Sequence, residues 1–157
     1  MALPQLRLDN QLCFLFHRVG RELTAAYRPL LTELGLTYPQ YLVMLVLWES
    51  DGLGVGAIGE RLALDSATLS PQLRRMEAAG LLRRVRDEDD ERRVTIHLTS
   101  QGRQLEQEAA QVPQALARHL VDGQAEYEQL KGLLSSLVER IPAERATPGS
   151  QRAGGGT

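Results

Sequence analysis

Apolar residues recur at steps of three and four from Leu8 through Leu12, Leu15, Phe16, Val19, Leu23, Ala26, Tyr27, Leu30 and Leu31 to Leu34. That spacing puts them on one face of a long helix. Pro29 is expected to kink or loosen it, and Gly35 to end it. Thr37-Tyr38-Pro39-Gln40 has the form of a capping box, with a proline suited to a first turn. A second helix is predicted through Tyr41, Leu42, Leu45, Val46 and Trp48, followed by a turn over Asp51 to Gly54. Val55 to Leu62 reads as a short helix weakened by Gly56 and Gly59. Ala63-Leu64 is a tight connection. Asp65 or Ser66 caps a further helix that reaches Ala79 and closes at Gly80. Leu81 to Arg86 and Arg93 to Leu98 alternate as two strands, with Asp87 to Arg92 as the polar hairpin between them. Thr99 caps a helix from Ser100 to about Gln111, Pro113 bends or breaks it, and Gln114 to Val121 continues it. Asp122-Gly123 breaks it again before a last helix, Ala125 to Ile141.

The expected fold class is mostly α with a small β-hairpin wing. A helix pair joined by a tight turn and followed by a hairpin is a winged helix-turn-helix, here over residues 37–98. The outer helices, residues 1–36 and 99–141, have no place in that small lobe. Their apolar stripes need a partner, and a second copy of the chain is the simplest one, so they are read as a dimerisation region. Residues 142–157 are Pro-, Gly- and Ser-rich and are read as a disordered tail. There is no internal repeat.

Composition changes this picture at two points. The net charge of −2 gives no global sign of a nucleic-acid partner, but Arg61 to Arg86 holds six arginines against Asp65 and Glu77. The charge is local, as a DNA-reading surface requires. The chain also has one cysteine, Cys13, which excludes an internal disulfide framework and a multi-cysteine zinc site. His17, His97 and His119 show no ligand spacing, so neither a metal nor a cofactor is expected. No apolar run reaches the roughly 18 residues of a membrane span, and Leu3 to Asn10 carries Pro, Arg and Asp in place of a signal peptide. A cytoplasmic protein without a membrane partner is expected.

The helix from Ser66 to Ala79 divides into two faces. Leu69, Leu73 and Met76 are spaced to face a core, whereas Ser66, Ala67, Thr68, Ser70, Gln72, Arg74 and Arg75 cover the other side. Short hydroxyls near a helix N-terminus suit base edges and phosphates, and a glutamine can pair bidentately with adenine. Alone, the same residues fit an ordinary solvated face; the tight turn before them and the wing after them favour double-stranded DNA. At the wing tip, five consecutive acids, Asp87 to Glu91, precede Arg92 and Arg93. Arg92 is the expected minor-groove contact and Asp90 its support.

The span Leu64-Asp65-Ser66-Ala67-Thr68-Leu69-Ser70-Pro71-Gln72-Leu73-Arg74-Arg75-Met76-Glu77-Ala78-Ala79-Gly80-Leu81-Leu82, with Asp90-Glu91-Arg92-Arg93-Val94 and Leu98-Thr99-Ser100-Gln101-Gly102, resembles the MarR family of winged-helix regulators. The resemblance runs from about Leu8 to Ile141. Leu8-Asp9-Asn10-Gln11-Leu12-Cys13-Phe14, Tyr27-Arg28-Pro29-Leu30-Leu31 and Leu36 to Glu49 resemble its OhrR subgroup, regulators of organic hydroperoxide resistance. The resemblance implies a homodimeric repressor that releases DNA when Cys13 is oxidised by organic hydroperoxides, with Tyr27 and Tyr38 hydrogen-bonding the thiol. Some members carry a second, C-terminal cysteine that resolves the oxidised sulfur. This chain has none and resembles the one-cysteine type, in which a small cellular thiol forms a mixed disulfide or over-oxidation makes the change irreversible.

If Cys13 and Tyr27 share one helix, fourteen residues separate them, which is about 21 Å at 1.5 Å per residue. They meet only if two first helices cross around a dimer axis, with Tyr38 arriving from the same partner. Phenolic donors and a helix N-terminus both stabilise a thiolate. Leu12, Phe14, Leu15 and Phe16 offer an alkyl tail an apolar bed. Spacing alone favours Cys13 as a small core hydrophobe and the tyrosines as helix-packing aromatics; the surrounding segments favour the sensor. Two other functions stay open at this point. One is a repressor released by a small phenolic or aromatic-acid ligand, with Cys13 incidental. The other is a thiol enzyme, for which neither a resolving cysteine nor a catalytic acid–base pair is apparent.

Overall fold

The computed structural model describes residues 3–86 and 94–141. Two short 3-10 turns, Pro4–Leu6 and Leu8–Asn10, lead into α1 (Leu12–Glu33). Then follow α2 (Tyr38–Glu49), β1 (Leu53–Gly54), α3 (Val55–Leu62), α4 (Ser66–Ala78), β2 (Leu82–Arg86), β3 (Val94–Leu98), α5 (Ser100–Ala109), α6 (Val112–Leu120) and α7 (Gln124–Arg140). The expected class, helical with a small β-wing, is observed. Among the described residues no single helix is long and apolar enough to cross a membrane. The chain falls into two compact units, Met1–Leu116 and Ala117–Thr157.

In the first unit α2 is the hub. Tyr41, Val43, Met44, Val46 and Leu47 are all buried, so this helix is covered on several sides. Leu31 from α1, Ile58 from α3, Leu69, Leu73 and Met76 from α4, and Ile96 from β3 complete the core. The capping box predicted at its start is present: the Thr37 N–H donates to Gln40 Oε1 at 2.9 Å and the Gln40 N–H donates to Thr37 Oγ1 at 3.4 Å. Pro29 lies inside α1, which continues through it to Glu33. The helix begins at Leu12, later than the apolar pattern suggested, because the segment before it is held in the two 3-10 turns.

The wing is a three-stranded antiparallel sheet in the order β1-β3-β2. Leu53 pairs with Ile96 and Gly54 with Thr95, where a turn was expected. Two residues are too few for an alternating pattern, so β1 has no period to read. On the far side Leu82, Arg84 and Arg86 oppose Leu98, Ile96 and Val94.

Close backbone approaches fix how these elements meet. A Cβ on Gly59 would lie 2.6 Å from the Leu64 carbonyl oxygen, so only glycine lets α3 close onto the turn before α4. Within that turn Ala63 adopts a left-handed conformation at φ 53°. A Cβ on Gly102 would overlap the Leu81 carbonyl oxygen and approach Leu98 Cδ2 at 3.2 Å. Three polar ties hold the same corner. The Trp48 indole N–H donates to the Gly102 carbonyl at 2.9 Å. The Leu98 N–H donates to Asp51 Oδ1 at 2.8 Å, and Arg103 donates to Asp51 Oδ2 at 2.6 Å.

In the second unit α7 begins after Gly123 at φ 100°. The Asp122 N–H donates to Glu126 Oε2 at 2.5 Å. Leu130, Leu133, Leu134 and Val138 of α7 are exposed.

Two outcomes follow. Gly102→Ala is expected to lower stability by about 1–3 kcal/mol through overpacking, more than the roughly 1 kcal/mol by which alanine favours a helix; denaturant unfolding measures it, and a more stable variant would contradict the packing. Burial pushes the Asp51 carboxyl up, but hydrogen bonds from the Leu98 N–H, Arg103 and the Gly52 N–H outweigh it and hold the group below the usual carboxylate range. Its folded pKa is thus lower than its unfolded one, so its contribution is present at neutral pH and lost as pH falls through the folded value. Asp51→Asn is therefore expected to be less stable at neutral pH but to lose less stability below about pH 4; parallel stability curves for the two proteins would refute this.

Candidate functional site

The second helix of the helix-turn-helix, α4, owes its position to both of its ends. At the start the Thr68 N–H donates to Asp65 Oδ1 at 2.6 Å, so Asp65 is the N-cap. Hydrogen bonds from the Thr68 backbone and side chain hold the Asp65 carboxyl below its ordinary range. At the end Gly80 turns the chain at φ 75°, and the Arg84 N–H on β2 donates to Glu77 Oε1 at 2.9 Å. Leu69, Leu73 and Met76 point into the core as expected.

Of the DNA-facing residues expected from sequence, Ser66, Ala67, Thr68, Arg74 and Arg75 are exposed and Ser70 is half-buried. They form one continuous polar face. Gln72 requires a correction. It is only 6 % exposed and donates through Nε2 to the Pro39 carbonyl at 2.5 Å. Its amide faces the first turn of α2 instead of the solvent. The cause is helical geometry: position 72 lies one turn before Met76 and adjoins Leu69 and Leu73 on the inner arc of α4. Asp90 and Arg92 lie outside the described residues. Arg83 and Arg86 on β2 are exposed and add charge beside the helix. Arg61 on α3 forms an exposed ion pair with Glu49.

The thiol region is built around α1. Cys13 is the second residue of that helix and is exposed. No side chain caps the helix start at Gln11, so first-turn N–H groups remain available near the thiol. Leu12, Leu15 and Val19 are more than half exposed and Phe16 is 43 % exposed. His17, one turn on, is exposed as well. Cys13 is thus not a core hydrophobe of its own chain.

The two expected phenols lie at the other end of α1, beside the core. The Tyr27 and Tyr38 rings pack with centroids 4.8 Å apart. Tyr27 also packs on Tyr41 at 5.8 Å, and Tyr41 meets Trp48 edge-on at 6.3 Å. Tyr41 was missing from the sequence-based site, although its position three residues after Tyr38 puts both on one face of α2. Burial, then the neighbouring Tyr38, raises the Tyr41 phenol above its ordinary pKa. Because α1 is one helix, Cys13 and Tyr27 of the same chain are about 21 Å apart, and Tyr38 stays with Tyr27. The fold assembles the phenols and holds the thiol away from them. Among the described residues no cluster of metal-ligating side chains occurs.

Removing the α4 cap gives a check on the reading helix. Asp65→Ala is expected to fray the first turn, seen as faster amide exchange at Thr68 with the rest of α4 unchanged. Unaltered exchange there would mean that the cap does not order the face.

Comparison with known proteins matches this architecture. A family model described as the transcriptional regulator SarA/Rot matches residues 25–109. The chain is 46 % identical over 136 residues to the organic hydroperoxide resistance transcriptional regulator of Bacillus subtilis, covering 87 % of this chain and 92 % of the relative. It is similar to AbfR of Staphylococcus epidermidis, solved in its reduced form bound to DNA: 40 % identity, TM-score 0.74, covering 88 % of this chain and 95 % of that one. The overoxidised form of AbfR, also bound to DNA, matches at 40 % identity with TM-score 0.65, covering 85 % and 96 %. These relatives are transcriptional regulators and not enzymes. The chain belongs to the MarR family of winged-helix, DNA-binding transcriptional regulators, in the organic hydroperoxide resistance subgroup and of its one-cysteine type.

Proposed function

We propose that the protein is a homodimeric cytoplasmic repressor that releases its operator when Cys13 is oxidised by an organic hydroperoxide. The observation that carries the proposal is the separation of thiol and phenols within one chain. Cys13 is exposed on an apolar, uncovered half of α1, while Tyr27 and Tyr38 wait together at the other end. Two antiparallel copies of α1 crossing at a two-fold axis bring the thiol of one protomer to the tyrosine pair of its partner. The same crossing covers Leu12, Leu15, Phe16 and Val19.

The chemistry follows from that arrangement. The Cys13 thiolate attacks the distal oxygen of the hydroperoxide, the O–O bond breaks, and the alkoxide takes a proton and leaves as an alcohol. Sulfur is oxidised by two electrons to the sulfenic acid, and the peroxide is reduced by two. The partner's phenols donate to the sulfur anion. The apolar residues around it hold the alkyl group of the oxidant. A small cellular thiol then condenses with the sulfenic acid, forming a mixed disulfide and water.

In this reading the mixed disulfide is the releasing form; the overoxidised form of AbfR, solved bound to DNA, supports that choice. A bulky group on sulfur has to be accommodated between the two copies of α1, and the two DNA-reading faces move with them. On DNA, Ser66, Ala67, Thr68 and Ser70 face the major groove, Arg74 and Arg75 the phosphates, and Arg92, supported by Asp90, the minor groove. Release by a small aromatic ligand is the less favoured reading, since the relative at 46 % identity is named for organic hydroperoxide resistance.

Fluorescence anisotropy with operator DNA tests this. Organic hydroperoxide plus a small thiol is expected to abolish binding by the wild type, a reductant to restore it, and Cys13→Ser to stay bound throughout. Tyr27→Phe and Tyr38→Phe are expected to slow thiol oxidation about tenfold or more, the worth of a hydrogen bond to a charged group, with unoxidised DNA binding intact. Release of Cys13→Ser by oxidant, or unchanged thiol reactivity in both phenylalanine variants, would remove these residues from the mechanism.

A further inference from the structure

One hydrogen bond joins the reading helix to the tyrosine pair. Gln72 sits on α4 between core residues, 6 % exposed, and its Nε2 donates to the Pro39 carbonyl at 2.5 Å. Pro39 follows Tyr38 directly in the first turn of α2. That turn is itself held by the reciprocal Thr37 and Gln40 bonds, and the Tyr38 ring packs on Tyr27 at 4.8 Å. A displacement of Tyr38 therefore displaces the carbonyl that Gln72 uses.

We propose that Gln72 is a positioning residue that couples the Tyr27–Tyr38 pair to the orientation of α4, and hence thiol state to DNA affinity. This rests on the reading of those tyrosines as the partners of Cys13. The coupling arises from burial. A side chain only 6 % exposed has little water to exchange its partner for, so leaving its amide unmatched is costly. Either α4 follows the first turn of α2, or the buried Gln72 amide loses the partner of its donor. Leu69, Leu73 and Met76 flank Gln72 in the core, so α4 follows as a body and not as a single side chain. The exposed residues Ser66, Thr68, Arg74 and Arg75 turn with it. A residue on the inner arc of α4 thus sets the angle of the outer face without touching DNA.

The test uses Gln72→Met, which keeps the length of the side chain and removes its donors. Operator affinity is measured for wild type and variant, each as the free thiol and as the Cys13 mixed disulfide with β-mercaptoethanol. The ratio of the two dissociation constants is expected to fall about threefold to tenfold in the variant, the range one hydrogen bond spans, with its thiol oxidation rate unchanged. An unchanged ratio alongside a large wild-type ratio overturns the role of Gln72. A wild-type ratio of one overturns the thiol reading instead. Gln72 is then judged by a measurement on the reduced wild type alone, with 3-fluorotyrosine incorporated. The Tyr38 fluorine resonance is expected to shift when operator DNA binds; a stationary resonance overturns the proposal without any variant having to fold.

Discussion

The length of one unbroken helix governs everything else in this protein. Cys13 and Tyr27 both lie on α1, which runs from Leu12 to Glu33. A helix cannot fold back on itself, so no rearrangement within the chain brings the thiol to the phenols. The N-terminal half of α1 also carries Leu12, Leu15, Phe16 and Val19 in exposed positions. In the proposed reading a second copy resolves both facts, so that chemistry and assembly share one surface and a change at sulfur acts where the two reading units are joined.

That coupling has force only if each reading unit is rigid. Rigidity comes from α2, which packs on α1, α3, α5 and β3 and is tied to α4 by the Gln72–Pro39 bond. Every residue of the helix from Gln40 to Trp48 is buried or half-buried, so its middle has no solvent face on which to slide. At its C-terminal end Trp48 and Asp51 bond α5 and β3; at its N-terminal end Pro39 accepts the bond from Gln72. Tyr38, against which Tyr27 of α1 packs, therefore sits on the same element that anchors the reading helix. A displacement of a few tenths of an ångström at Tyr38 is not absorbed by loose packing, because close-packed interiors transmit strain.

Most of the helices were legible because period and punctuation agreed. Thr37, Asp65 and Thr99 each cap the helix they were expected to cap, and Gly80 closes α4 as expected. The failures have separate physical causes. Leu53-Gly54 looked like a turn because pairing with β3 is a long-range property of two residues. Gln72 looked like a base reader because a polar residue on a reading helix is usually solvated; its partner, a backbone carbonyl thirty-three positions away, leaves no trace in composition. Tyr41 was read only as an apolar helix residue, although its spacing from Tyr38 already placed it with the other phenols. The separation of Cys13 from Tyr27, in contrast, was readable from helix rise alone, and it is the strongest argument for a site shared between protomers.

Mixed dimers test that claim most directly. One protomer carries Cys13→Ser with both tyrosines intact, and the other carries Cys13 with Tyr27→Phe and Tyr38→Phe. The heterodimer then has a single thiol, facing intact phenols only if the site is built across the two chains. Its thiol is expected to react with an organic hydroperoxide at the wild-type rate, about tenfold or more faster than in the homodimer of the phenylalanine chain. A heterodimer thiol as slow as that homodimer would place the phenols and the thiol in one chain and contradict the account.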